Sequence, residues 1–179
     1  MDHALKSALK KTTMDVADLD FTLQKRKMIE VQGWTHDATN IMEQEYRKFL
    51  ALCAALEKTK SETVVVPNRT IDIFWHAHIM DTEKYHSDCQ AIFGHYLHHF
   101  PYFGMQNEAD TENWGGSSSD SNSLWRDAFG EALYDNNNDA DAYQPDKLWA
   151  SELSASIVSS AMSPPKRCMR KNCKPQKCK

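Results

Sequence analysis

The sequence predicts a mainly α-helical protein: a compact single-domain helical bundle with irregular loops and a disordered basic C-terminal tail. Apolar residues recur at helical spacing in several segments of the chain. Hydrophobic residues make up 41% of the 179 residues and include five Trp and seven Phe, which is enough for a packed core. Residues 164–179 hold seven Lys or Arg and no acidic residue, a charge block typical of a solvated tail.

The first third of the chain predicts two helices. Residues 1–17 are polar and aperiodic, so we expect a flexible N-terminus. From Asp18, the stretch DLDFTLQKRKMIEVQGW predicts a helix that ends at Gly33, because glycine suits the left-handed position after a helix. A longer helix follows, with Thr35 or Asp37 as its cap. Its predicted apolar face consists of Met42, Tyr46, Phe49, Leu50, Cys53 and Leu56.

The middle of the chain predicts a buried connection and two further helices. TVVVPN, which ends at Asn68, is too isolated for a sheet and is expected to be a buried extended connection. The spacing of apolar residues from Ile71 to Ile79, and again from Tyr85 onwards, predicts two helices with a break near Asp81. Pro101 ends the segment. The aromatic residues expected to fold back as a plug over the helices are Phe100, Tyr102 and Phe103.

The last third is expected to be mostly irregular. ADTENWGGSSSDSNS has the glycine and serine content of a flexible loop, and SLWRDAFGEALY predicts one short helix. DNNNDADAYQPD is interpreted as a loop. The predicted organisation is a flexible N-terminus at 1–17, a helical domain at 18–149, a weak helix or linker at 150–163 and the basic tail at 164–179.

One segment concentrates the residues that carry chemistry. Six of the eight His lie between residues 76 and 99, and WHAHIMDTEKYHSDC combines them with carboxylates, a tyrosine and a cysteine. Imidazole is the commonest metal ligand, and carboxylates join it for zinc, iron or manganese. Asp72 and His76 are four residues apart and share a helix face, whereas His76 and His78 point about 200° apart. Asp72 and His76 are therefore the first candidates, either as two ligands of one ion or with the Asp72 carboxylate orienting the imidazole of His76.

His78 and Tyr85 are candidates for a further role. His78 lies on the apolar face of its helix, where it is either a buried imidazole with a satisfied partner or a third ligand and proton carrier. A histidine oriented by a carboxylate and close to the hydroxyl of Tyr85 is also suited to acid and base catalysis near neutral pH. We therefore predict His78 and Tyr85 as catalytic candidates, with His78 also among the metal ligands.

Further candidates in the same segment have open interpretations. Cys89 is a possible nucleophile, since His86 three residues earlier could help to form its thiolate, or it is a structural thiol on an apolar face. His98 and His99 either form a cluster with His95 or face solvent beside the aromatic plug. The structural alternative for the whole segment is a core whose buried aromatic and imidazole groups need polar partners. The remaining candidates are Trp75 and Asp81.

The stretches IDIFWHAHIMDTEKYHSDC and FGHYLHHFPYFG resemble the glycine-rich domain-containing protein-like family, a domain of largely unknown function. Its hallmark is an Asp, then Trp-His-x-His, then a Tyr about seven residues later, matched here by Asp72, Trp75, His76, His78 and Tyr85. The resemblance extends over residues 18–134 and implies a fold but no reaction. Plant members have a glycine-rich region and are associated with RNA binding and stress signalling. This chain has six Gly, so those roles are not carried over.

The tail carries Cys168, Cys173 and Cys178 at an interval of five residues. This is not the four-ligand pattern of a zinc finger, but three thiolates could bind Cu(I) or zinc, or meet a partner. A disordered tail without a role is the alternative.

Together these features predict a cytoplasmic protein that binds a divalent metal, zinc, iron or manganese, through an Asp/His cluster, with enzymatic activity left open. The alternative is a non-enzymatic interaction module whose His and aromatic residues are structural and whose tail contacts a protein partner or a soft metal. No segment has the 18 or more apolar residues of a membrane span, so no membrane contact is expected. Nucleic-acid contact is expected only as non-specific binding by the tail.

Overall fold

The computed structural model describes residues 1–103 and 108–134, and this part of the chain is helical, with no strand among the described residues. The predicted mainly α fold is confirmed. In chain order the helices are α1 (His3–Ala17), α2 (Thr22–Glu30), α3 (His36–Lys58), α4 (Arg69–Ile79), α5 (Thr82–Phe93) and α6 (Glu108–Phe129).

Helix α3 lies at the centre of the core, with α1, α2, α4 and α5 packed against it. Thr35 begins the helix, because its Oγ1 accepts a hydrogen bond from the Ala38 N–H at 3.2 Å. The predicted apolar face is buried except at Cys53, which is partly exposed. The periodicity of this segment therefore predicted the inner face of the helix correctly.

Residues 1–17 are not a flexible terminus, because most of them form α1. The helix is capped by Asp2 and buries Leu5, Leu9, Thr12 and Val16 along one stripe. Thr12 interrupts the apolar spacing, but its hydroxyl donates to the Ala51 carbonyl on α3 at 2.8 Å. The buried face of α1 therefore includes a polar residue with a hydrogen-bond partner on another helix, and the apolar residues alone do not show the helical spacing.

Helices α4 and α5 confirm the predicted break. Asn68 caps α4 by accepting from the Ile71 N–H at 2.9 Å, and α5 begins after Asp81. Asp81 occupies the N-cap position without a capping hydrogen bond from its side chain; its Oδ2 accepts instead from Gln24 Nε2 at 3.0 Å. Helix α5 ends at Gly94, whose φ of +77° reverses the chain direction into the segment 95–103.

The predicted aromatic plug is wrong for two of its three residues. Phe100 is 56% exposed and Tyr102 is 61% exposed, and their rings contact each other with centroids 5.8 Å apart. Phe103 is partly buried. Among the three histidines of this segment, His95 and His98 are exposed, whereas the side chain of His99 is 13% exposed.

The Gly- and Ser-rich stretch is a helix rather than the predicted loop. Helix α6 extends the predicted short helix towards its N-terminus, so that Ser121 and Ser123 lie inside it. Both hydroxyls donate to the carbonyl four residues earlier, so both are hydrogen-bonded within the helix. Trp125 is fully buried, and this burial anchors the helix on the core.

The connection 61–68 runs between α3 and α4 without regular structure, as predicted, and buries Val65 and Val66. The predicted loop at 135–146, the weak helix or linker at 150–163 and the basic tail lie outside the described residues. Within the described part of the chain, no helix combines the length and apolarity needed to cross a bilayer.

Candidate metal centre

Three side chains with metal-binding atoms converge at one place on the surface. Asp72, His76 and His99 each offer one ligand atom, and these atoms all lie within 4.8 Å of one another. Asp72 Oδ1 is 2.8 Å from His99 Nε2, and Asp72 Oδ2 is 3.7 Å from His76 Nδ1. The imidazole rings of His76 and His99 have centroids 4.7 Å apart. Asp72 is thus the centre of the group.

The local fold explains how the group assembles. Asp72 lies in the first turn of α4 and His76 one turn later, so their side chains lie on the same face. His99 reaches them from the segment that follows α5, because Gly94 turns the chain back towards α4. Two of the three residues therefore depend on one helix, and the third depends on the packing of α5 against it.

The separations suit a shared ion. Ligands bound at about 2.0–2.2 Å in tetrahedral geometry lie about 3.4 Å from one another. The distances from the two histidines run to different oxygens of Asp72, 2.8 Å from His99 Nε2 to Oδ1 and 3.7 Å from His76 Nδ1 to Oδ2, and lie on either side of this value. The site is open on one side, since the His76 side chain is 54% exposed while those of Asp72 and His99 are 20% and 13% exposed. An ion held here would keep coordination positions open to water or substrate.

The inner wall of the site is Trp75. Its ring meets that of His99 edge to face, with centroids 4.6 Å apart. The indole Nε1–H donates to the Tyr85 hydroxyl at 2.8 Å, and that hydroxyl donates to the Leu97 carbonyl at 2.5 Å. Burial raises the pKa of the Tyr85 hydroxyl, so it stays protonated and remains a donor.

His78 is not part of the group, because it points into the core on the other side of α4. Its Nδ1 is 3.0 Å from the Tyr46 hydroxyl, and its Nε2 is 3.1 Å from Asp88 Oδ2. The second contact is close in distance but is not aligned as a hydrogen bond, so Nε2 has no well-formed partner. A proton on Nε2 is the arrangement that fits a carboxylate there and lets Tyr46 donate to Nδ1.

Burial dominates the electrostatics of His78. It lowers the pKa of the imidazole to about 4, and Lys84 acts in the same direction. Asp88 and Asp81 favour the charged form, but they do not offset the loss of hydration. The imidazole is therefore neutral at neutral pH, as a core histidine with polar partners is expected to be.

The other predicted residues are dispersed around the site. His86 and His98 are exposed, with rings 6.3 and 4.9 Å from that of Tyr96. Cys89 is buried, and burial raises the pKa of its thiol, which opposes thiolate formation.

His95 pairs with Glu57 at 2.9 Å and does not form a cluster with His98 and His99. Asp81 binds Gln24, and the three tail cysteines lie outside the described residues.

His99 was one of several open candidates in sequence and was not predicted as a ligand. It lies 27 residues from Asp72, with a helix and a turn between them, so no local spacing connects the two. The only local sign is the concentration of histidine near the end of α5, which does not distinguish His99 from His98.

Comparison with known proteins identifies the family without naming an activity. No curated protein matches the sequence and no solved structure matches it. A family model described as UCP032817-like matches residues 10–117, which include α4, α5 and all three residues of the candidate centre. Since the match covers more than half of the chain, the protein belongs to the uncharacterised UCP032817-like family.

Proposed function

We propose that this protein binds one divalent metal ion through Asp72, His76 and His99. The observation that carries the proposal is the convergence of a carboxylate and two imidazoles from separate segments, with ligand atoms within 4.8 Å. Surface carboxylates are common, but a carboxylate within reach of two imidazoles is a donor set of the kind that zinc and iron sites use. This set replaces His78 of the sequence prediction with His99.

Zinc and iron(II) are the ions that this donor set fits best. Catalytic zinc sites use three protein ligands and an open position, and two histidines with one carboxylate are also the ligands of non-haem iron(II) enzymes. When bound, such an ion supplies a Lewis acid and an activated water. The exposure of His76 supports access for a substrate, so we propose a metal-dependent enzyme as the function of the site.

Metal binding must compete with the contacts that the three residues make with one another. His99 Nε2 donates to Asp72 Oδ1 at 2.8 Å, and a metal needs an unprotonated nitrogen at that position. Binding therefore moves or releases the proton between these two groups. We expect affinity to fall as the solution becomes more acidic, because protonated imidazoles do not bind metals.

Elemental analysis of untagged protein, purified without added metal, tests the proposal. We expect about one equivalent of zinc, iron or manganese, and a loss of at least tenfold in affinity for Zn²⁺ in each of the variants Asp72→Ala, His76→Ala and His99→Ala. His98→Ala is the matched control, since His98 is the exposed neighbour of His99 and is not part of the group. Equal metal content and affinity in all four variants and the unchanged protein would contradict the proposal.

The interaction-module alternative remains a prediction, with one supporting observation. His78, Trp75 and Tyr85 are buried, so part of the histidine and aromatic cluster stabilises the core. The cytoplasmic location and the resemblance to glycine-rich domain-containing proteins also remain proposals, as does the contact of the tail with a partner.

A further inference from the structure

We propose that Tyr85 is the positioning residue of the metal centre, holding His99 in reach of Asp72 through the Leu97 carbonyl. The inference rests on the proposed function, since it concerns how that site keeps its third ligand. It assigns Tyr85 a role that differs from acid and base catalysis, because its hydroxyl is buried and already bonded to two groups.

The segment that carries His99 depends on side chains for its position. Residues 96–100 lie in neither a helix nor a strand, so no regular backbone ladder fixes them. The Tyr85 hydroxyl donates to the Leu97 carbonyl at 2.5 Å, two residues before His99. Tyr85 belongs to α5 and is fully buried, so this hydrogen bond attaches an irregular segment to a rigid helix.

Trp75 connects the same hydroxyl to the helix that carries the other two ligands. Its Nε1–H donates to Tyr85 Oη at 2.8 Å, and its ring packs edge to face on His99 with centroids 4.6 Å apart. Trp75 precedes His76 directly in α4. The Tyr85 hydroxyl therefore bonds both to α4, through Trp75, and to the His99 segment, through Leu97, in addition to the direct contact of His99 with Asp72.

Phenylalanine at position 85 would keep the ring but not the connection. The Leu97 carbonyl and the Trp75 N–H would each lose a buried partner, and such groups move to find another one or water. The packing of Tyr85 against Tyr96, at 5.0 Å between centroids, does not involve the hydroxyl. The substitution thus removes the link to His99 with little change in ring packing.

Titration of the full-length protein with Zn²⁺, against a chromophoric chelator, tests the inference with a matched pair of variants. Tyr85→Phe and Tyr46→Phe each remove one hydroxyl from a fully buried tyrosine, but Tyr46 is bonded to His78 and not to the His99 segment. We expect Tyr85→Phe to weaken Zn²⁺ binding by about 10- to 100-fold, the range seen when groups that orient metal ligands are removed. Tyr46→Phe should stay within about twofold of the unchanged protein, even if both variants unfold at lower urea concentration.

The outcomes separate this inference from the proposed function. Tight Zn²⁺ binding that is lost in Asp72→Ala but unchanged in Tyr85→Phe would overturn the positioning role and leave the metal site standing. Equal weakening in Tyr85→Phe and Tyr46→Phe would also overturn it, because a general loss of stability would then be the cause. Zn²⁺ binding that is unaffected in Asp72→Ala would overturn both.

A second variant covers the case in which Tyr85→Phe does not fold. Trp75→Phe keeps an aromatic ring beside His99 but removes the N–H that orients the Tyr85 hydroxyl. We expect about tenfold weaker Zn²⁺ binding in this variant. An unchanged affinity would overturn the inference.

Discussion

His76 and His78 show how two identical residues in one helix come to occupy opposite environments. They are two positions apart, so their side chains point about 200° from each other around the axis of α4. His76 faces solvent beside Asp72, whereas His78 is 1% exposed and lies between Tyr46 and Asp88. His76 is therefore accessible to an ion from solution, whereas burial of His78 lowers its pKa and favours the neutral imidazole.

The depressed pKa of His78 predicts a loss of stability in mild acid. The unfolded chain takes up a proton near the ordinary pKa of 6.5, while the folded imidazole does so only near about 4. Between these values the unfolded state binds more protons, so the free energy of unfolding falls as pH decreases, by on the order of 3 kcal/mol in total. Urea denaturation between pH 7 and pH 4 measures the free energy of unfolding. In His78→Gln the part of its decrease that comes from protonation of His78 should be absent.

His95→Gln is the control for this measurement. His95 is exposed, and its pairing with Glu57 raises the pKa of the imidazole. Its contribution therefore has the opposite sign, since a raised pKa stabilises the fold at low pH. In His95→Gln, the free energy of unfolding should still decrease between pH 6.5 and pH 4. If it decreased in His78→Gln by as much as in the unchanged protein, the role of His78 would be contradicted.

At the scale of elements, α6 shows that composition alone misjudges a helix. Its serines and glycines favour loops in isolation, because Ser hydroxyls compete for backbone groups and Gly costs backbone entropy. In this helix the hydroxyls of Ser121 and Ser123 bond within the helix, Ser121 also bonds to the connection 61–68, and burial of Trp125 supplies tertiary stabilisation. The helical state of this segment is therefore decided by tertiary packing and not by the helix propensity of its residues.

Ser121 is the residue that ties α6 to the connection before α4. Its Oγ accepts from the Val66 N–H at 2.9 Å and lies 2.6 Å from the Ser117 carbonyl. Ser121→Ala leaves the buried Val66 N–H without a partner, and we expect a loss of about 1–3 kcal/mol in the free energy of unfolding. Ser123→Ala, on an exposed site of the same helix, should change it by less than about 0.5 kcal/mol. Urea denaturation measures the free energy of unfolding of both variants. An equal loss in the two would contradict the role of Ser121 in connecting α6 to the segment before α4.

At the scale of the whole molecule, the candidate site is a product of the bundle. Helix α3 supports α4 and α5, and their packing brings the segment after α5 back over α4. Every group of the site lies between residues 72 and 99, inside the stretch that the family model matches. The tail contributes none of the three proposed ligands.

Removal of the tail tests this separation. We expect protein that ends at Ser163 to carry the same single equivalent of metal as the full chain, because Asp72, His76 and His99 are retained. Elemental analysis of both forms, purified side by side, provides the measurement. Metal found only in the full chain would place binding at Cys168, Cys173 and Cys178 and would favour the alternative function.

The sequence by itself determined the features that depend on local periodicity: the inner face of α3, the break near Asp81 and the shared face of Asp72 and His76. Each follows from backbone geometry over a few turns, so spacing is sufficient to predict it. Tertiary structure decided the helical state of α1 and α6, the exposure of the aromatic residues near Pro101 and the recruitment of His99. These depend on which distant groups meet, as when Thr12 finds a carbonyl on α3, and such partners are separated by stretches of chain that no local pattern spans.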